Sequence, residues 1–377
     1  LAVELVATLL AKALPAAAAA DPRAQSAAFE GSAWAGAYFR ELEACGSMRW
    51  QPYTYWRRQP FQGTFINIDA AGERRTVEPA DLAADAQEIW LFGGSTLWGT
   101  GSRDGGTLPS QLSALLNSEA PRWRLRNFGE AGYVGTQARI ALSLALGQGR
   151  APALVIFYEG VNDCLSAFQQ ARAGLPLQEG FRALEFNSRL GAAFPRVFDE
   201  SSGRWQPRSP LTGWQALWAG SSTAQWLRRF ELLPRLEGRL APAAALELDS
   251  PPHRDPAALA AAVVATAVHN QRWARTLCTA AGTRCLTVWQ PDVYHKQQTA
   301  EEAALAAQYP GQREFFLEVA RQVANHPELA ADPDFLFLTR LFSSDPRTLF
   351  FDFCHVNEAA NRSLAEALVS PVQARLP

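Results

Sequence analysis

Several residue types are scarce in this chain, and each shortage removes a class of function. Only five cysteines occur in 377 residues. None forms a C-x-x-C pair, and no Cys/His grouping has zinc-site spacing, so no metal is expected. Five histidines leave few candidates for chemistry that needs an imidazole. Thirty-five basic residues against 37 acidic ones give a formal charge of −2. No global basic field exists to attract nucleic acid, and none is expected as a partner. The N-terminal LAVELVATLLAKALPAAAAA (1–20) lacks an initiator Met, and Glu4 and Lys12 interrupt it. It is too short and too charged to span a bilayer. The expectation is a helix left after signal-peptide removal, or a truncated membrane anchor, against the alternative of an ordinary amphipathic helix.

The cysteines lean the same way. Cys278 and Cys285 bracket CTAAGTRC, a helix-to-strand turn that a disulfide would close, and Cys164 and Cys354 each adjoin a candidate active-site loop. Two disulfides with Cys45 free would suit an oxidising compartment, hence a periplasmic or otherwise exported protein. The alternative is five buried thiols in a cytosolic enzyme.

What is abundant is core-forming. Hydrophobic residues make up 48% of the chain, enough for one large domain or two smaller ones. Twelve Trp and 21 Phe fit a large core, and Trp also suits a carbohydrate site. Residues 1–85 read as an N-terminal extension. From 86 onward, strands and helices alternate: strand 88–94, helix 107–118 with Pro109 in its first turn, strand 123–129, helix 136–148 and strand 153–160. A Pro-, Gly-, Arg- and Trp-rich insertion spans about 170–256, with Trp205, Trp214, Trp218 and Trp226. It reads as a lid or glycan platform, or as plain packing of a helical subdomain. Helix 256–282 and strand 284–291 follow, then a mainly helical insertion at about 292–345. The strand-like TLFFDFCHVN (348–357) leads into the final helix. This alternation predicts an α/β fold with a doubly wound, flavodoxin-like parallel sheet and helical insertions. Ligands of such sheets bind outside the carboxyl ends of the strands.

Four motifs fall at those ends or on the loops that follow: GGST with Ser95, NFGEAG (127–132), EGVND (159–163) and DFCH (352–355). Together they have the parts for acyl transfer. Ser95 needs a base. His355 sits before a helix with an acid three residues earlier, and Asp352 in a D-x-x-H turn reaches the imidazole Nδ1. The N–H groups of Ser95 and Gly132 and the side-chain amide of Asn162 supply oxyanion donors.

These blocks, in this order over residues 91–357, resemble the SGNH hydrolases, the GDSL-like esterase superfamily. FGGST resembles the nucleophile block. NFGEAG resembles the second, whose last glycine is Gly132, GVND the block carrying Asn162, and DFCHVN the D-x-x-H-x-N block. One departure is plain: the Asp that usually precedes the nucleophile is Gly94 here. The N-terminal WRRQPFQGTFINIDAAGERRT and the extended GGSTLWGTG resemble a subgroup of exported bacterial members. The resemblance implies a serine esterase needing no cofactor, acting on a short acyl ester, such as acetyl on a carbohydrate. A glycan O-acyltransferase, a lipase or thioesterase, and a non-catalytic binding protein on the same scaffold are the competing readings. Trp98, Glu130, Glu159 and His295 stand near the motifs as candidate substrate contacts; loop support, core packing or a surface position are their alternatives.

Overall fold

A computed structural model of the chain describes residues 21–180, 182, 196–199, 204–207, 253 and 255–377. The expectations for 1–20 and for Trp214, Trp218 and Trp226 lie outside the described residues. The chain divides into two compact units, Leu1–Ala19 with Gln178–Pro251, and Ala20–Leu177 with Pro252–Pro377. In the first, the described sheet is an antiparallel pair, Arg196–Asp199 with Arg204–Pro207.

The second unit is built on five parallel strands: β1 (Gln87–Gly93), β2 (Trp123–Asn127), β3 (Leu154–Glu159), β4 (Arg284–Trp289) and β5 (Phe335–Phe337). Their order is β2-β1-β3-β4-β5. Every residue of β3, LVIFYE, is buried, because helices cover both faces of the sheet. On one face α3 (Gly135–Leu146) and α5 (Pro256–Ala280) enclose Trp90, Phe92 and Phe157 with Leu142 and Ala274. On the other, Leu112 of α2 (Leu108–Leu116) and Leu364 of α6 (Glu358–Gln373) join Ile89, Leu91 and Ile156. The fold is thus α/β and doubly wound. Strand order reverses between β1 and β3, so the crevice beyond their carboxyl ends is the expected ligand position.

Residues 21–85 share the unit of the sheet. Helix Ala35–Ala44 and the hairpins Met48–Gln51/Tyr55–Arg58 and Phe61–Gln62/Asn67–Ile68 bury Phe29, Tyr38, Phe39 and Ile66 against Trp98 and Phe351. No described helix is long and apolar enough to cross a membrane.

Two expectations are corrected. The strand-like TLFFDFCHVN (348–357) is not a strand, and the fifth strand of the sheet is Phe335–Phe337, inside the second insertion. The 348–357 segment is a turn closed by an isolated bridge between Phe350 and Val356. It reads as a strand because Phe350 and Phe351 are both buried, each in a different core cluster. The disulfides are also absent: all five cysteines are buried free thiols. Cys278 and Cys285 lie in the same core cluster at the two ends of their turn, without a disulfide bond between them.

Candidate active site

Strand β1 runs into Gly93 and Gly94 because two loops meet there. A Cβ on Gly93 would stand 2.3 Å from the Tyr158 carbonyl, and one on Gly94 would stand 2.2 Å from Asn162 Nδ2. Gly94 then begins the one-turn helix α1 (Ser95–Trp98), and Gly99 ends it at φ +98°, a conformation glycine adopts without strain. Ser95 sits at the first helical position, partly exposed, and its N–H has no intrahelical acceptor.

Across 260 positions of sequence, the Ser95 hydroxyl meets His355: Oγ and Nε2 are 2.7 Å apart. On the far side of the ring, Nδ1 lies 2.6 Å from Asp352 Oδ2. Asp352 Oδ1 accepts the backbone N–H of Cys354 at 2.9 Å and of His355 at 2.7 Å. The carboxylate therefore serves both the turn and the imidazole. With the Nδ1 proton donated to Asp352, Nε2 presents a lone pair, and the Ser95 O–H donates to it. Burial pushes the Asp352 carboxyl up, but the charge and hydrogen bonds of His355 and the Cys354 N–H outweigh it. The net shift is below the usual carboxylate value. Phe351 stacks on the His355 ring at 5.8 Å.

Cys354 Sγ stands 3.6 Å from His355 Nδ1, yet burial and the Asp352 charge hold this thiol well above its ordinary pKa. It stays protonated and does not compete as a nucleophile. Among the described residues, Asp352, Cys354 and His355 are the one group of three or more ligand-type side chains whose ligand atoms lie within 4.8 Å of one another. These are the hydrogen-bonded groups just described.

The oxyanion donors lie on the neighbouring loops. Asn162, the second residue of α4 (Val161–Gln170), donates one amide hydrogen to the Tyr133 carbonyl at 2.9 Å and keeps the other. Gly132 adopts φ +73°, and among the described residues its N–H and that of Ser95 donate to no acceptor.

The four candidate substrate contacts are placed otherwise. Trp98 is 0% exposed, its ring held between the guanidiniums of Arg58 and Arg74, each 4.2 Å from the centroid. It floors the nucleophile helix and does not wall a cleft. Glu130 is buried, accepting the N–H of Arg58 at 2.8 Å and of Ala131 at 2.7 Å, with the Arg58 guanidinium 3.5 Å away. It ties the NFGEAG loop to the N-terminal hairpin. Glu159 is buried in an ion pair with Arg139. His295 is largely enclosed, its Nδ1 2.7 Å from Asp292 in a second D-x-x-H turn. That turn abuts the first through Val293 N–H to Phe353 C=O at 3.0 Å.

Sequence reading missed the supports. Arg74, fully buried, donates to Asp104 and to the carbonyls of Gly99 and Ser102, so residues upstream of the sheet satisfy the open end of α1. The Thr96 hydroxyl donates to Gln290 Oε1 at 2.9 Å, tying the nucleophile helix to the end of β4. Glu302, 0% exposed, clamps the approach to the catalytic turn. Its Oε1 accepts the N–H groups of Leu349 and Phe350 at 3.0 and 3.2 Å. Its Oε2 accepts from Lys296 at 2.7 Å and from Thr299 N–H at 3.0 Å. Glu302→Gln leaves the buried Lys296 ammonium uncompensated and is expected to cost about 3–5 kcal/mol in urea unfolding. A loss below about 1 kcal/mol would show the clamp to be dispensable. The one signal in the sequence is the T-x-x-E capping-box spacing of Thr299 and Glu302, which the half-buried neighbour Glu301 does not share.

Asp163 caps α3, both carboxylate oxygens accepting the Gly135 N–H at 3.0 and 3.2 Å. Burial, then the charge of Glu159, push its pKa up to about 7, against the pull of Gly135 N–H and Arg139. The folded chain therefore holds this proton where the unfolded chain has lost it. Stability falls as pH rises from the ordinary carboxylate range to about 7, and the penalty is fully present above that. Asp163→Asn removes the ionisation, so its melting temperature should change less than the parent's between pH 5 and 8, by about 3 °C or more. Equal slopes would contradict this account.

No family model and no curated protein matches the chain. Similar solved structures include a member of the lipolytic protein G-D-S-L family from Veillonella parvula DSM 2008 (12% identity, 76% of this chain and 97% of that one, TM-score 0.38). Another is TesA (14% identity, 77% and 100%, TM-score 0.36). A third is a catalytic mutant of Axe2, an acetylxylan esterase from Geobacillus stearothermophilus (11% identity, 79% and 96%, TM-score 0.37).

Proposed function

We propose that the chain is a serine ester hydrolase working through an acyl-enzyme on Ser95. One observation bears the reading: the unbroken path from Ser95 Oγ through His355, 2.7 Å at one nitrogen and 2.6 Å to Asp352 at the other. Ser95 Oγ attacks the ester carbonyl as His355 Nε2 takes its proton. His355 returns that proton to the departing alcohol. The developing oxyanion is met by the N–H groups of Ser95 and Gly132 and by the free hydrogen of the Asn162 amide, each such donor being worth about 10²–10³ in turnover. Water then attacks the acyl group on Ser95, His355 taking its proton and passing it to the leaving Ser95 oxygen.

The acyl group is short. Supporting this is the crowding around Gly132: a Cβ there would stand 2.8 Å from Leu177 and 3.6 Å from Trp56. A fluorophosphonate should label the chain at Ser95 and leave Ser95→Ala unlabelled; labelling that survives the substitution refutes the nucleophile. A nitrophenyl ester series from acetate to laurate should turn over fastest at acetate. Equal or rising rates toward laurate would refute the short acyl pocket.

A further inference from the structure

One sequence feature supplies no reacting group and extends away from the site: the aromatic-rich hairpin WQPYTYW, residues 50–56. Its two strands pair Trp50 with Trp56, placing these two on one face. In a regular strand Tyr55 would point the other way. It does not, because Tyr55 adopts φ +75°, and Tyr53 at the turn adopts φ +67°. Bulky residues rarely hold this conformation, and where they do the strain tends to mark ligand clamps and active sites. Its effect here is a continuous row of rings. Trp50 and Tyr55 centroids are 5.7 Å apart, Tyr55 and Trp56 stack at 6.3 Å and 18°, and Trp56 meets Tyr133 at 5.6 Å.

The outer end of the row is open: Trp50 is 68% exposed and Tyr53 73%. The inner end is anchored at the candidate oxyanion loop. Trp56 Nε1 donates to the Ala131 carbonyl at 2.7 Å, the Tyr133 hydroxyl donates to the Trp56 carbonyl, and the Trp56 ring lies beside Gly132. Thr54, buried in the turn, accepts from Gln137 Nε2 of α3 at 2.9 Å. The row is thus pinned at one end and in its middle, and presented to solvent at the other. Two large aromatics this exposed, beside a site, form the kind of patch that marks recognition.

We infer that this row is a binding rail for an oligosaccharide, leading its acylated ring toward Ser95. The chemistry is specific to such a ligand. Tyr and Trp offer an apolar face and a polar edge together, which suits a pyranose with an apolar C–H face and a rim of hydroxyls. The ring spacing is on the scale of successive sugar units. The inference deepens the esterase reading and rests on it for the direction of the chain, but its test reads binding alone.

The Ser95→Ala chain, unable to turn over, is titrated calorimetrically with xylohexaose and with chitohexaose. At least one should bind at one site. Trp50→Ala and Tyr53→Ala should each weaken that binding about tenfold, and Trp50→Phe should retain most of it. Thermal unfolding of each variant checks that the fold is intact, as expected for exposed positions. The inference is overturned if neither hexasaccharide binds, or if both alanine variants bind like the parent. Binding in a chain whose Ser95 resists fluorophosphonate would refute the nucleophile and spare the rail. Labelling without binding would do the reverse.

Discussion

Asp352→Asn should lower kcat/KM for nitrophenyl acetate by about 10⁴-fold while leaving the fold intact. The argument turns on which oxygen does what. Oδ1 accepts two backbone N–H groups, of Cys354 and His355, while Oδ2 faces His355 Nδ1. An asparagine must keep its carbonyl oxygen toward the two N–H groups, since its amino group cannot accept them. The amide NH₂ is then turned on Nδ1 and donates to it. Nδ1 becomes an acceptor, the ring proton moves to Nε2, and Nε2 donates to Ser95 Oγ where it should accept. The base is lost with every heavy atom in place. Fluorophosphonate labelling should slow in step with turnover, because both need the same deprotonation. A fall of less than tenfold would show that Asp352 does not set the tautomer.

The reacting groups were legible because their spacing is local: D-x-x-H is one turn, and GGST and GVND each begin a helix after a strand. The alternation of elements was equally plain, and it leads to the observed parallel sheet. What the pattern does not carry is direction and distant partnership. Trp98 follows Ser95 by three residues, so adjacency suggests a cleft wall. Arg58 and Arg74, far upstream, decide otherwise by enclosing its ring. Glu130 and Glu159 look like free acids at the strand ends, yet each is used by arginines that no periodicity pairs with it. The misplaced fifth strand has a related cause. Apolar content marks burial, and both FLF and TLFFDFC turn phenylalanines into the core, Phe335 in one and Phe350 and Phe351 in the other. Only the destination of the backbone N–H groups separates them: strand β5 pairs with β4, whereas Leu349 and Phe350 donate to a carboxylate. A three-residue edge strand inside a helical insertion leaves almost no periodic signal.

Gly94→Asp, which would restore the residue usual before the nucleophile in the resembled family, should cost about 10²–10³ in kcat. The glycine is not demanded by its backbone, since φ is −87°. It is demanded by space. A Cβ at this position would stand 2.2 Å from Asn162 Nδ2 and 3.3 Å from its Cγ, with the Tyr133 carbonyl 3.4 Å away. The amide cannot retreat without giving up its 2.9 Å bond to that carbonyl, and with it the orientation of its free hydrogen. Any side chain at 94 therefore acts by displacing Asn162. Gly94→Ala should reproduce most of the loss, and Asn162→Ala alone should match it. Gly94→Ala combined with Asn162→Ala should be little worse than either, because one donor cannot be removed twice. Full additivity would place the effect of residue 94 elsewhere, on the path of Ser95 itself, and would show that this chain's departure from the family pattern has nothing to do with the oxyanion amide.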